Sequence, residues 1–168
     1  MSAATSRPLF ALVMLLWIAP ALAGTDDVCG EHTARSGAVF TLSVDRSFEP
    51  IITFKLCNRE DKSKRFLLVS TQSRSHKDGW DSKSIPLAPE TYERLAQLHE
   101  KSLNYDVRID VGGNDGSMWC LETQRGFTYS KACFWTPTED ASARRLDGLV
   151  DLGRELWELA KLNSSDLH

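Results

Sequence analysis

The chain has 168 residues, of which 42% are hydrophobic, 26% charged and 9% aromatic. This is ordinary globular composition and sets aside collagen-like, low-complexity and disordered chains. Lys+Arg 20 against Asp+Glu 23 leaves a net charge of −3, which excludes the basic footprint of a general nucleic-acid binder and a polybasic membrane-surface patch.

Residues 1–23 read as a secretory signal peptide. Arg7 is the only charge, an apolar run extends from Leu9 to Ala19, Pro20 breaks it, and Ala21-Leu22-Ala23 supplies a small-x-small cleavage site. The run is well short of the roughly 20 residues needed to span a bilayer, so no stable membrane insertion is expected after cleavage. Residues 24–168 are then expected to form a single disulfide-stabilised α+β domain. This mature part carries 19 basic and 23 acidic side chains, a net charge of −4.

Gly24 to Gly37 is a polar leader carrying Cys29. Val39–Arg46 alternates at strand period, Ser47-Phe48-Glu49-Pro50 reads as a turn, and Ile51–Cys57 completes a hairpin. Phe66–Thr71 is a third strand. Gln72–Pro86 is the longest polar stretch and is expected to be a loop, of a length that often carries function. Pro89–Lys101 predicts a helix, with Pro89 at its first position and Tyr92, Leu95, Ala96 and His99 on one face. Tyr105–Val111 alternates again, Gly112–Gly116 is a turn cluster, and Ser117–Gln124 and Phe127–Trp135 are two further strands. Thr136, Pro137 and Glu139 match a capping box for a last helix, whose Leu146, Leu149, Val150, Gly153, Leu156, Trp157 and Ala160 follow helical spacing. The order suggests two halves, each strands followed by a helix, in a mainly antiparallel sheet of about six strands with two helices: an α+β fold.

Cys29, Cys57, Cys120 and Cys133 form an even set in an exported chain, which reads as two disulfides. Facing Cys120 with Cys133 across the last hairpin also faces Glu122 with Lys131, Met118 with Trp135, Trp119 with Phe134 and Leu121 with Ala132. Apolar meets apolar and charge meets opposite charge on each face, which favours a Cys120–Cys133 bond and leaves Cys29 for Cys57. A tighter turn at Arg125-Gly126 would offset the two cysteines. A zinc site would usually show a second cysteine within a short knuckle, and Cys29-Gly30-Glu31-His32 has no second half. No metal or cofactor is expected.

Asp115-Gly116, Trp119, Glu122, Gly126, Trp135 and Pro137, followed by an amphipathic Leu-rich helix, resemble a pattern of uncharacterised exported bacterial proteins: D-G-x-x-W-x-x-E, a Gly turn, then W-x-P. The resemblance covers about a third of the chain and implies no activity. Each residue also reads structurally: Asp115-Gly116 as a turn, Trp119 as core, Trp135 and Pro137 as a strand-to-helix corner, and Glu122 as an outward carboxylate paired with Lys131.

Nucleophile-elbow, zincin, P-loop and dinucleotide-binding motifs are missing from the sequence. His32, His76, His99 and His168 lack metal-like spacing, and His99 reads as a hydrogen-bonded core residue. Asp110–Gly116 lacks the alternating ligands and distal Glu of a calcium loop, and Lys62–Arg65 reads as a solvated loop. Trp80 stands out among Asp78, Gly79, Asp81 and Lys83, because tryptophan carries large contact area at small rotamer cost.

These features point to a periplasmic or secreted binding or inhibitor protein, of the immunity type that blocks an envelope-acting toxin or hydrolase. Trp80 would be its anchor, and Asp78 and Asp81 would steer a basic protein partner. The alternatives are a small secreted hydrolase acting on envelope polymer through dispersed carboxylates such as Asp110, Asp115 and Glu122, or a structural envelope domain.

Overall fold

A computed structural model describes Cys29 and residues 37–59, 61–72, 79–106, 113, 115–125 and 128–163. Residues 1–23, expected to be a signal peptide, and Asp78, Asp110, His32, His76 and His168 lie outside the described residues. The elements in chain order are β1 (Gly37–Arg46), β2 (Ile52–Asn58), β3 (Phe66–Gln72), β4 (Trp80–Pro86), α1 (Pro89–Ser102), β5 (Ser117–Arg125), β6 (Thr128–Trp135) and α2 (Asp147–Leu159). The six strands form one sheet in the order β4-β3-β2-β1-β5-β6, with every neighbouring pair antiparallel. The fold is α+β, with four strands before the first helix and two before the second.

Alternation along each strand decides which face is buried. Phe40, Leu42 and Val44 of β1, Ile52, Phe54 and Leu56 of β2, Leu67 and Val69 of β3, Trp119 and Leu121 of β5 and Phe134 of β6 join Tyr92 and Leu95 of α1 and Leu149, Leu152, Leu156 and Trp157 of α2 in one core. Both helices therefore lie on the same face. His99 is buried in that layer, as its helical spacing implies: its Nε2 is 2.9 Å from the Thr123 hydroxyl and its ring stacks on Phe40. Gly153 of α2 lies against the Trp119 indole so closely that a Cβ would overlap the ring.

The last hairpin has the expected register, with Cys120 opposite Cys133, Glu122 opposite Lys131, Trp119 opposite Phe134 and Leu121 opposite Ala132. Both disulfides, Cys29–Cys57 and Cys120–Cys133, are formed, and no cysteine among the described residues is free. They point to an oxidising, extracytoplasmic environment. No described helix is long and apolar enough to cross a membrane.

Three expectations are corrected. The second part of the expected Gln72–Pro86 loop is strand β4, paired along its length with β3. It escapes a pattern reading because an edge strand needs little apolar alternation: only Ile85 packs on the core, while backbone pairing with β3 supplies the rest. Tyr105 and Asp106, expected to open a strand, are irregular, and the remainder of that segment lies outside the described residues.

The last helix opens at Asp147 rather than after Thr136, and the capping box is not formed. Thr136 takes a positive φ of 39°. Its N–H donates to the Ser117 carbonyl at 2.6 Å, and its hydroxyl accepts from the Ser117 N–H. The side chain thus closes the β5–β6 end instead of capping a helix. Asp140 and Arg145 also have positive φ, which interrupts any continuous right-handed turn. The Arg144 guanidinium, 3% exposed as a residue, donates to the carbonyls of Trp135 (2.8 Å), Thr136 (3.0 Å) and Glu139 (3.2 Å). The segment from Thr136 to Arg145 is therefore a corner wrapped around one arginine.

Candidate functional site

Residues directly opposite in antiparallel register share a face. One row runs Ser84, Leu68, Lys55, Thr41, Glu122, Lys131 across the sheet, and the next runs Ser82, Ser70, Thr53, Ser43, Cys120, Cys133. Among the described residues no helix packs on this face. Its polar character follows from that exposure: the hydroxyls of Ser70 and Ser82 are 2.8 Å apart, and those of Ser43 and Thr53 are 3.4 Å apart. Near the start of β1, the Cys29–Cys57 disulfide gathers Leu68, Ala38 and Phe66 into a small satellite cluster.

Trp80 opens β4 opposite Gln72 and is 47% exposed. By alternation it shares the helix-free face with Ser82 and Ser84. Asp81, opposite Thr71, points to the other side of the sheet, so Trp80 and Asp81 flank the edge strand rather than lie side by side. Lys83 shares the side of Asp81. Its ammonium donates to the Ala160 carbonyl at 2.7 Å, a cation at the negative end of α2 that ties the edge strand to the helix layer.

Trp80 sits at the end of the sheet where β1 turns into β2. That turn carries the most exposed large apolar side chain described, Phe48, 93% exposed, with a positive φ of 67°. The turn at Ser47–Pro50 is where the sequence pattern places it. Phe48 has no such signal, because nothing in a one-dimensional pattern shows which turn residue projects or what φ it takes. A phenylalanine where glycine would be favoured is a local inconsistency, and it is visible only once the turn is seen. Asp45 and Glu49, three residues before it and one after, are also exposed.

At the opposite end of the same face a concavity of about 180 Å³ is lined by Ala38, Thr41, Lys55, Glu122, Gln124 and Tyr129 with the Phe40 and Thr123 segments. It forms where β1 is irregular: the register shifts between Ala38 and Phe40, which turns Val39 towards the core and leaves Ala38 on the open face. The concavity is smaller than the ~300–1,000 Å³ of ordinary ligand pockets, so it suits a single inserted group. Lys131 donates to Glu122 at 2.7 Å. This hydrogen bond, and then the Glu122 charge, raise the Lys131 pKa above its ordinary value. The small stabilisation that results is complete at neutral pH and is lost as pH rises through the elevated Lys131 value. Glu122→Gln should therefore bring the Lys131 titration back down towards that of a solvated lysine, read by NMR of its ε-methylene group.

Of the carboxylates expected for a hydrolase, the two among the described residues, Asp115 and Glu122, do not converge. Glu122 lies in mid-β5 and is ion-paired, whereas Asp115 precedes that strand by two residues. At about 3.4 Å per residue their separation is roughly 20 Å, against the ~5–9.5 Å of paired glycosidase carboxylates. No group of three or more potential metal ligands occurs among the described residues. Comparison with family models, curated proteins and solved structures finds no match to this chain.

Proposed function

We propose that the chain is an exported binding protein, an inhibitor or immunity-type partner of a toxin or hydrolase that acts in the bacterial envelope, working in the periplasm or outside the cell. The observation that carries this reading is the half-exposed Trp80 on the helix-free face of a disulfide-braced sheet. A paired strand fixes the backbone that carries the ring, so binding loses less conformational entropy than it would on a loop. Asp81, next in sequence though on the other side of the edge strand, and a mature net charge of −4 favour a basic partner through long-range steering and speed encounter with it. The hydrolase reading has less support, because Asp115 and Glu122 stand apart. A purely structural envelope domain would leave Trp80 without a role.

The test uses the oxidised mature protein and the partner it retains from periplasmic extract, purified and titrated by calorimetry. Trp80→Ala should change folding stability by no more than about 1 kcal/mol, since the side chain lies at a sheet edge. It should weaken binding by about 2 kcal/mol or more. Asp81→Asn should mainly slow association, less so at high salt. A large loss of stability with undiminished affinity would assign Trp80 to the fold and remove the basis of the reading.

A further inference from the structure

The turn between β1 and β2 breaks a local rule. The Glu49 N–H donates to the Arg46 carbonyl at 3.1 Å, closing a four-residue turn in which Phe48 is third, with φ of 67°. A positive φ at that place is what type II turns reserve for Gly or Asn, because a Cβ crowds the following carbonyl in the left-handed region. The ring gains nothing from burial in return, being 93% exposed. The turn is also braced: the Ser47 N–H donates to the Gly116 carbonyl at 3.0 Å, and the Gly116 N–H donates to the Ser47 hydroxyl at 3.4 Å. A residue that the fold holds at a cost and leaves in water is a candidate for a role outside the fold.

We propose that Phe48 is a preorganised anchor that inserts into an apolar pocket on a protein partner, with Trp80 at the same end of the sheet as its second contact. This deepens the binding reading above and rests on it. The surroundings select the occupant. Asp45 lies three residues before Phe48 and Glu49 one after it, and Asp81 is on the edge strand at the same end of the sheet, all three exposed. These carboxylates repel an anionic lipid surface and complement a basic rim around an apolar pocket. The braced turn fixes the backbone position and the Cα–Cβ direction from which the ring projects, which suits a defined pocket better than a fluid bilayer.

The experiment separates the strain from the contact. Phe48→Gly should leave the melting temperature of the oxidised protein at or above that of the wild type, because glycine takes the turn without crowding. Phe48→Ala keeps the crowding and loses the ring, so its melting temperature should not rise. Both should weaken binding of the partner purified from periplasmic extract about thirtyfold, as hot-spot truncations do, and Phe48→Tyr should restore most of that loss. A photoreactive phenylalanine analogue at position 48 should cross-link the same protein as one at position 80, and one at the helix-layer position 158 should not. Vesicles of phosphatidylethanolamine and phosphatidylglycerol should not retain the protein. If Phe48→Ala binds normally while Trp80→Ala does not, the anchor is refuted and the binding reading survives. If neither position cross-links a protein, both fall. Phe48-dependent vesicle binding would overturn the protein pocket in favour of lipid.

Discussion

Replacing Arg144 with Met should lower folding stability by about 3 kcal/mol, which in a domain of this size is a fall of about 6–12 °C in melting temperature. The side chain is buried and holds three carbonyls, those of Trp135, Thr136 and Glu139, with one fork of donors. Hydrogen bonds to a charged group contribute about 1.5–3 kcal/mol each, and relief from burying the charge offsets part of that sum. The apolar length of Met keeps the volume, so the loss reports the hydrogen bonds. Arg144→Lys should recover only part of the stability, because an ammonium cannot reproduce the planar fork. Thermal melts of the three proteins under oxidising conditions decide this. A melting temperature within about 2 °C of the wild type for Arg144→Met would mean that the corner is held by backbone turns alone.

A second large effect is expected at Gly153. Glycine in mid-helix normally destabilises, and replacing it with alanine normally stabilises by about 0.5–1 kcal/mol. Here the sign should reverse, because a Cβ would meet the six-membered ring of Trp119, which is fully buried in the core. Gly153→Ala should cost a net ~1 kcal/mol. Gly153→Val, with two more methyl groups and a stiffer χ1, should cost about 3 kcal/mol. A paired Trp119→Leu change should lessen the cost of Gly153→Val, since neighbours that share a space do not act additively. The denaturant midpoint of each variant provides the measurement. A stabilised Gly153→Ala would show that the helix can lift off the ring without loss, and that the contact does not constrain the core.

The last hairpin is legible in the sequence because several independent constraints agree. Cys120 with Cys133, Glu122 with Lys131 and Trp119 with Phe134 all demand one register, and a slip of one residue would reverse every side chain between faces. The first helix is equally readable from Pro89 and the Tyr92, Leu95, His99 spacing. Strand β4 is not, because both faces of Trp80–Pro86 are largely in water and no alternation marks them. The start of the last helix is hidden for a different reason. Thr136 and Glu139 satisfy the local signature of a cap, but the hydroxyl that would cap the helix serves the Ser117 N–H instead, and the Arg144 guanidinium takes the carbonyls.

The candidate site shows the same division. Trp80 is conspicuous in the sequence as an aromatic residue in polar company. Its setting on an edge strand, on the face without helices and away from Asp81, needs the sheet. Phe48 carries no signal at all, since exposure and φ are not properties of a residue type.

Periodicity and side-chain pairing along the chain suffice for the α+β class, the two disulfides and the residues that line the core, because few arrangements satisfy all of them at once. Where the polar segments go is settled in three dimensions. The energy of a polar strand, a wrapped corner or a projecting turn residue comes from backbone partners and buried carbonyls supplied by other parts of the chain, and these leave no pattern in the segment itself.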